Sequence, residues 1–267
     1  MHGLEVTMEG TKTPPRATAG ARVGDSSLSD RRPTGNEQLD HLLGGGLPNA
    51  STTLLVSDSM TAPYVFAEQF AAAGLALGKP VLYYGFDRPR RHVEDRLRAR
   101  LPAKGTLDTL HYADYYALRL RALSQSIRTE LGIPPADPEL PKAIVPALLG
   151  QPKGQRFRLV LESLSEVVRA YGAEASIEIV NEIVGILSAR EGAGLLLLDR
   201  GIIPPELEAG FRHTVDNVFE FGLDRQNNDI RPFFKITKML RIPGATHLYW
   251  YSESAEGLSM EAVHRVF

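Results

Sequence analysis

A chain of 267 residues with 43% hydrophobic residues can bury a full core as one large domain, and its ordinary composition excludes a fibrous or wholly disordered class. A formal net charge of -2 provides no long-range attraction to nucleic acid or to an anionic membrane, so any basic surface must be local. The absence of cysteine rules out disulfides, thiolate metal sites and cysteine nucleophiles, and is compatible with the reducing cytoplasm in which the protein is expected.

Residues 1–30 are polar, punctuated by Pro14, Pro15, Gly20 and Gly24, and without the apolar centre of a signal peptide; they read as a disordered tail. No later run reaches transmembrane length, so no membrane partner is expected. Residues 31–267 read as a single domain. Leu39, Leu42 and Leu43 predict a short helix ended by Gly44, Gly45, Gly46 and Pro48. Thr52 to Val56 is a short β-rich apolar run, the pattern of a strand covered on both faces. A turn follows: Ser57, Asp58, Ser59, Met60, Thr61, Ala62, Pro63 and Tyr64. It leads into a helix with Thr61 as the expected cap, Pro63 in the first turn, and Phe66, Phe70, Ala73 and Leu77 as its apolar stripe, before Gly78 stops it.

Next come a strand from Pro80 to Tyr84 and a basic helix with Val93, Leu97 and Leu101 inward. Tyr116, Leu120, Leu123, Ile127 and Leu131 mark a further helix. Six prolines between Gly132 and Gln155, from Pro134 to Pro152, predict a loop-like insertion at about 132–155. Order resumes with the strand Phe157 to Leu161, then a helix from about Ala173 to Arg190 carrying Ile177, Val180, Val184 and Leu187. The apolar strand Gly194 to Leu198 then ends in Asp199. Strands that are apolar throughout and alternate with helices argue an α/β fold: a mostly parallel central sheet with helices on both faces. The C-terminal strands VFEFGL, PFFKITKML and THLYWYS have no helices between them and are expected as antiparallel additions at one sheet edge.

The motif T-G-x-x-x-L-D-x-L-L-G-G-G-L-P from Thr34 to Pro48 is followed by a strand, a turn and a helix carrying Gln69 and Phe70. Further matches are VLYYGFDRP, LVLESLSE and KMLR near the end. On these residues the chain resembles the KaiC-like branch of the RecA superfamily of P-loop ATPases over roughly residues 31–267. The resemblance implies a RecA-like three-layer fold. It also locates the departures. Members that hydrolyse ATP carry a glycine-rich, lysine-bearing phosphate loop where this chain has Ser57 to Tyr64, without a glycine or a lysine. Asp58 adds a like charge near the expected phosphates, and Pro63 removes an amide donor from the helix start. The water-activating carboxylate falls on Asp87, with Arg88 replacing its acidic neighbour, and the magnesium-side carboxylate falls on Glu162.

The expectation is therefore a degenerate Walker A motif and a pseudo-ATPase without cofactor or metal, serving as an interaction or assembly module. It would self-associate or mix with an active KaiC/RecA-like paralogue, in a role such as signal transduction. Lys238, Arg241 and His247 lie where ring-forming relatives reach a neighbour's nucleotide, and are the interface candidates. An ATPase that binds Mg-ATP through relocated ligands near Arg88 is the alternative, and a DNA-associated accessory protein a second one. Mixed signs among Asp87, Arg88, Arg90, Arg91, Glu94, Asp95, Arg96, Arg98, Arg100 and Lys104 disfavour nucleic acid and predict a solvated, salt-bridged helix face. Glu162, Ser163 and Glu166 are expected at a solvated strand end, and Asp199 in a capping or turn role.

Overall fold

The computed structural model describes residues 31–116, 125–132, 140–226, 229–240 and 248–262. The expected tail at 1–30 lies outside them, as do Leu120, Leu123, Arg241 and His247. A nine-stranded sheet runs through the molecule. Its parallel part contains β3 (Ser51–Ser57), β4 (Val81–Gly85), β5 (Leu110–Asp114), β6 (Arg158–Glu162), β7 (Ala193–Asp199) and β8 (Asn217–Gln226). To these are added β9 (Asp229–Lys238), β10 (Leu248–Ser254) and β11 (Gly257–Ala262), and the spatial order is β11-β10-β9-β8-β3-β7-β6-β4-β5. The strand β8 pairs in parallel with β3 and antiparallel with β9, so the sheet changes character there. A separate two-stranded ladder joins β1 (Arg31–Arg32) to β2 (Leu47–Pro48).

Three layers follow from the two-residue period of the strands. Leu55, Tyr83, Val160, Leu195 and Leu197 pack on one face with α2 (Pro63–Ala76) and α3 (Arg90–Arg100), as does Leu39 of α1 (Glu37–Leu42). Their sequence neighbours Leu54, Val56, Leu82, Tyr84, Leu159, Leu161, Leu196 and Leu198 face the opposite way. They pack against α5 (Leu140–Leu149), α6 (Leu164–Tyr171), α7 (Ala173–Arg190) and α8 (Pro205–Thr214). A further short helix, α4 (Gln125–Glu130), lies within the expected Tyr116–Leu131 helix. Strands covered on both sides have no solvent face to keep polar, which is why their sequences run apolar without alternation.

Several local expectations are corrected. The helix α2 is buried nearly all round and has no narrow stripe; Leu77 is its C-cap and 58% exposed. Its N-cap is Ala62, with no side-chain cap: the Thr61 hydroxyl donates instead to the Asp58 carbonyl. In α7 the buried apolar positions are Ile179, Val180, Ile183 and Leu187, while Ile177 is exposed. The proline-rich insertion is not all loop. Residues Leu140–Leu149 form α5, with Pro141 near its start and Pro146 inside, and Ile144 and Leu148 join the core. Burial of these side chains offsets the hydrogen bond that Pro146 cannot donate. Periodicity also missed β5, α6, α8 and β11, whose patterns are short and mixed.

Two glycines fix how α2 sits. At Gly35, φ is +83° and a Cβ would meet the Gln69 carbonyl oxygen at 2.5 Å, so the loop into α1 can lie on α2 only without a side chain. At Gly74, a Cβ would meet Cδ of Arg158 at 2.5 Å. Arg158 is 2% exposed, lies over the Phe70 ring, and donates to the carbonyls of Pro33 and Phe70. Burial, with a contribution from nearby Arg32, lowers its pKa to about 9.

Candidate functional site

The parallel strands end in a cleft of about 430 Å³. Its walls are the turn between β3 and α2, Asp87 and Arg88 beyond β4, Glu162 and Ser163 at the end of β6, and Asp199 at the end of β7. The fold thus brings together the sequence candidates Ser57, Asp58, Ser59, Met60, Thr61, Pro63, Tyr64, Asp87 and Glu162. Ala62 is buried behind them. Lys238 lies elsewhere: its ammonium donates to the carbonyls of Arg212, His213 and Val215, completing the C-terminal end of α8.

The turn's polar groups largely serve the protein itself. The amide of Asp58 donates to the Phe221 carbonyl at 2.9 Å, that of Thr61 to the Asp58 carbonyl at 3.3 Å, and that of Ala62 to the Tyr251 hydroxyl at 3.1 Å. The Asp58 carboxylate pairs with Arg200 at 3.3 Å. Met60, at the tip, has φ of +67° and is 92% exposed.

On the other wall, Glu162 is not at a solvated strand end, because its neighbours close over it: Glu162 is 3% exposed, Ser163 2% and Glu166 7%. One carboxylate oxygen accepts from Nε and Nη2 of Arg88 at 3.1 and 2.7 Å, and the other accepts from the Tyr83 hydroxyl. Burial pushes the Glu162 carboxyl above its ordinary value, against the pull of Arg88 and Tyr83. Arg88 is also desolvated, yet the charges of Glu162 and Glu68 outweigh burial and hold its guanidinium pKa above the usual value. The third nitrogen of Arg88 meets Oε1 of Glu68 at 2.8 Å, and its guanidinium lies over the Tyr64 ring, 4.5 Å from the centroid.

Glu68 is the residue that the periodicity reading missed. It belongs to α2 and is fully buried, and its other oxygen pairs with Arg96 at 2.8 Å and with Arg100 at 3.3 Å. The available signal was a lone charge among Val65, Phe66, Ala67, Phe70 and Ala71, since a carboxylate stays in such a setting only with cations around it. The basic helix is corrected with it. Arg90 and Arg98 do pair with Glu94 along its surface, but Arg96 and Arg100 turn inward to Glu68, as does Arg88 from the turn before it. Asp199 fits its expected turn role: its carbonyl accepts from the amide of Ile202, and its amide donates to the Ser165 hydroxyl. Among the described residues, no group of His, Cys, Asp or Glu is arranged to hold a metal ion.

A central sheet flanked by helices on both faces, a cleft at the parallel strand ends and an antiparallel extension at one edge define the RecA-like class of P-loop ATPase folds. The family profile described as "ATPase: KaiC" matches residues 32–260, and the chain belongs to that family. The fold is similar to the crystal structure of a KaiC-like protein from the hyperthermophilic archaeon Pyrococcus horikoshii, with a TM-score of 0.61 and 18% sequence identity. That match covers 86% of this chain and 98% of the other. No curated protein matches the sequence significantly. No helix among the described residues is long and apolar enough to cross a membrane.

Proposed function

We propose that this KaiC-family domain is a pseudo-ATPase with a degenerate Walker A motif, retained as a non-catalytic interaction or assembly module that associates with itself or with an active paralogue. The observation that carries this reading is the engagement of Glu162 by Arg88 and Tyr83, which directs both carboxylate oxygens to partners within the protein. The residues do not fit Mg-ATP. A magnesium ion at Glu162 would have to displace a half-buried guanidinium that makes two hydrogen bonds to that carboxylate. The turn offers no lysine, Pro63 has no amide proton, and the amides of Asp58, Thr61 and Ala62 already donate to protein acceptors. Without a preorganised set of donors, the transferring phosphoryl charge would lose the electrostatic stabilisation on which such catalysis rests.

Neither alternative gains from the paired arginines. Arg88, Arg90, Arg96, Arg98 and Arg100 each meet a carboxylate, so relocated phosphate ligands or a DNA-binding face would require breaking existing pairs. Calorimetric titration with Mg-ATP should show no binding at micromolar nucleotide; micromolar binding abolished by Glu162→Gln would overturn the proposal. Mass measurement in solution, alone and mixed with a KaiC-family paralogue, should reveal an oligomer, and a strict monomer in both cases would count against the assembly role.

A further inference from the structure

We infer that Arg88 is a resident counter-ion standing where a divalent cation would otherwise meet Glu162, so that the acids at and behind the cleft need no bound ion. The inference rests on the non-catalytic reading above but makes a separate claim, about what replaces the ion. Two buried carboxylates from different elements, Glu68 of α2 and Glu162 of β6, converge on one guanidinium carried by the turn after β4. Their side chains are 0% and 4% exposed, and carboxylates so placed require a cation in contact. Arg88 meets that need at Glu162, and together with Arg96 and Arg100 at Glu68, using its whole fork: Nε and Nη2 on Glu162, and Nη1 on Glu68. Tyr64, in the first turn of α2, lies against the guanidinium face. One side chain therefore ties α2 and the end of β6 to the turn after β4, as a coordinated ion would tie them through its ligands.

The substitution leaves a latent site. Glu162, Ser163 and Asp87 all line the same cleft, so loss of the guanidinium would expose an uncompensated carboxylate next to oxygen ligands and room for water. Such a set suits a hard divalent cation. Because the ion concerned is unidentified, the probe is Mn²⁺ alone, without nucleotide, followed by its paramagnetic signal and by thermal unfolding.

The wild-type chain should take up no Mn²⁺ at millimolar concentration and show no stabilisation. Arg88→Met should unfold at a lower temperature and regain at least about 2 °C with saturating Mn²⁺. Adding Glu162→Gln to that variant should abolish both the uptake and the regain. Arg88→Lys, which keeps the charge but not the fork, should refuse Mn²⁺ like the wild type. Should Arg88→Met fail to fold unaided, folding that appears only with Mn²⁺ supports the inference, and failure in both conditions overturns it. Mn²⁺ binding by the wild-type chain that Glu162→Gln removes would also overturn it, as would a folded Arg88→Met that takes up none. Binding of Mg-ATP by the wild-type chain is a different failure, and sinks the pseudo-ATPase reading first.

Discussion

The helix α2 is held in place in two unlike ways at positions two residues apart, one against the sheet and one against α3 and the turn after β4. Phe66 enters an aromatic cluster with Phe219, Phe221 and Phe234, at centroid distances of 6.2, 6.2 and 6.1 Å. Glu68 enters an ionic cluster with Arg88, Arg96 and Arg100. Aromatic packing depends on area and shape and is shared among many contacts, so its loss is local and has no single complementary repair. Buried ion pairing depends on both partners at once: removing one side leaves a charge without compensation, and removing the other side as well can restore balance. The antiparallel edge thus rests on contacts any fold of this size could make, whereas the cleft holds a specific arrangement of charge.

The comparison breaks most sharply at Arg88 and Phe234. Arg88→Met and Phe234→Ala should each cost about 3–5 kcal/mol in denaturant unfolding, for different reasons. Adding Glu162→Gln should recover part of the first loss and none of the second; equal behaviour of the two would mean that the ionic cluster acts as simple packing. At Gly74, insertion of a methyl group against Arg158 should cost about 1–3 kcal/mol, and Gly74→Ala combined with Arg158→Met should cost less than the sum of the single changes. Lys238→Met should remove about 0.5–1 kcal/mol by uncapping α8, measured by thermal melts at low salt, where the contribution is largest.

The smallest effect is a pH dependence outside the cleft. Burial favours the neutral acid of Glu220, but Arg212 and Arg200 outweigh it and depress its pKa below the ordinary 4.5. A depressed folded pKa contributes stability that is present above about pH 4.5 and lost as pH falls through the folded value. The gap in unfolding midpoint between wild type and Glu220→Gln should therefore narrow below pH 4.5, and a constant gap would deny the ion pairs their role.

Much of the fold was legible because its strongest signals are local. The runs around Leu54–Val56, Leu82–Tyr84, Leu159–Leu161 and Leu195–Leu198 have the composition of strands covered on both faces, and each is buried in the parallel sheet. The edge strand β5, with partly exposed residues, has no such run. The helix α5 was hidden by prolines whose cost only the packing of Ile144 and Leu148 offsets. Of the candidate site, the turn and both acids meet in one cleft, yet Glu68 was missed and Glu162 was read as solvated, since a sequence shows a charge without showing what covers it.

Taken alone, the sequence determined the layered α/β architecture, the family resemblance, and the absence of lysine and glycine from the turn after β3. Those properties follow from residue type and short-range spacing. Only the tertiary structure decided the partner of Glu162. Arg88 is 74 residues away along the chain and Glu68 is 20 residues from Arg88, and such separations carry no periodic signal. Packing α2 and the turn after β4 against the end of β6 excludes water, and in that space each carboxylate depends on the cations the fold brings to it.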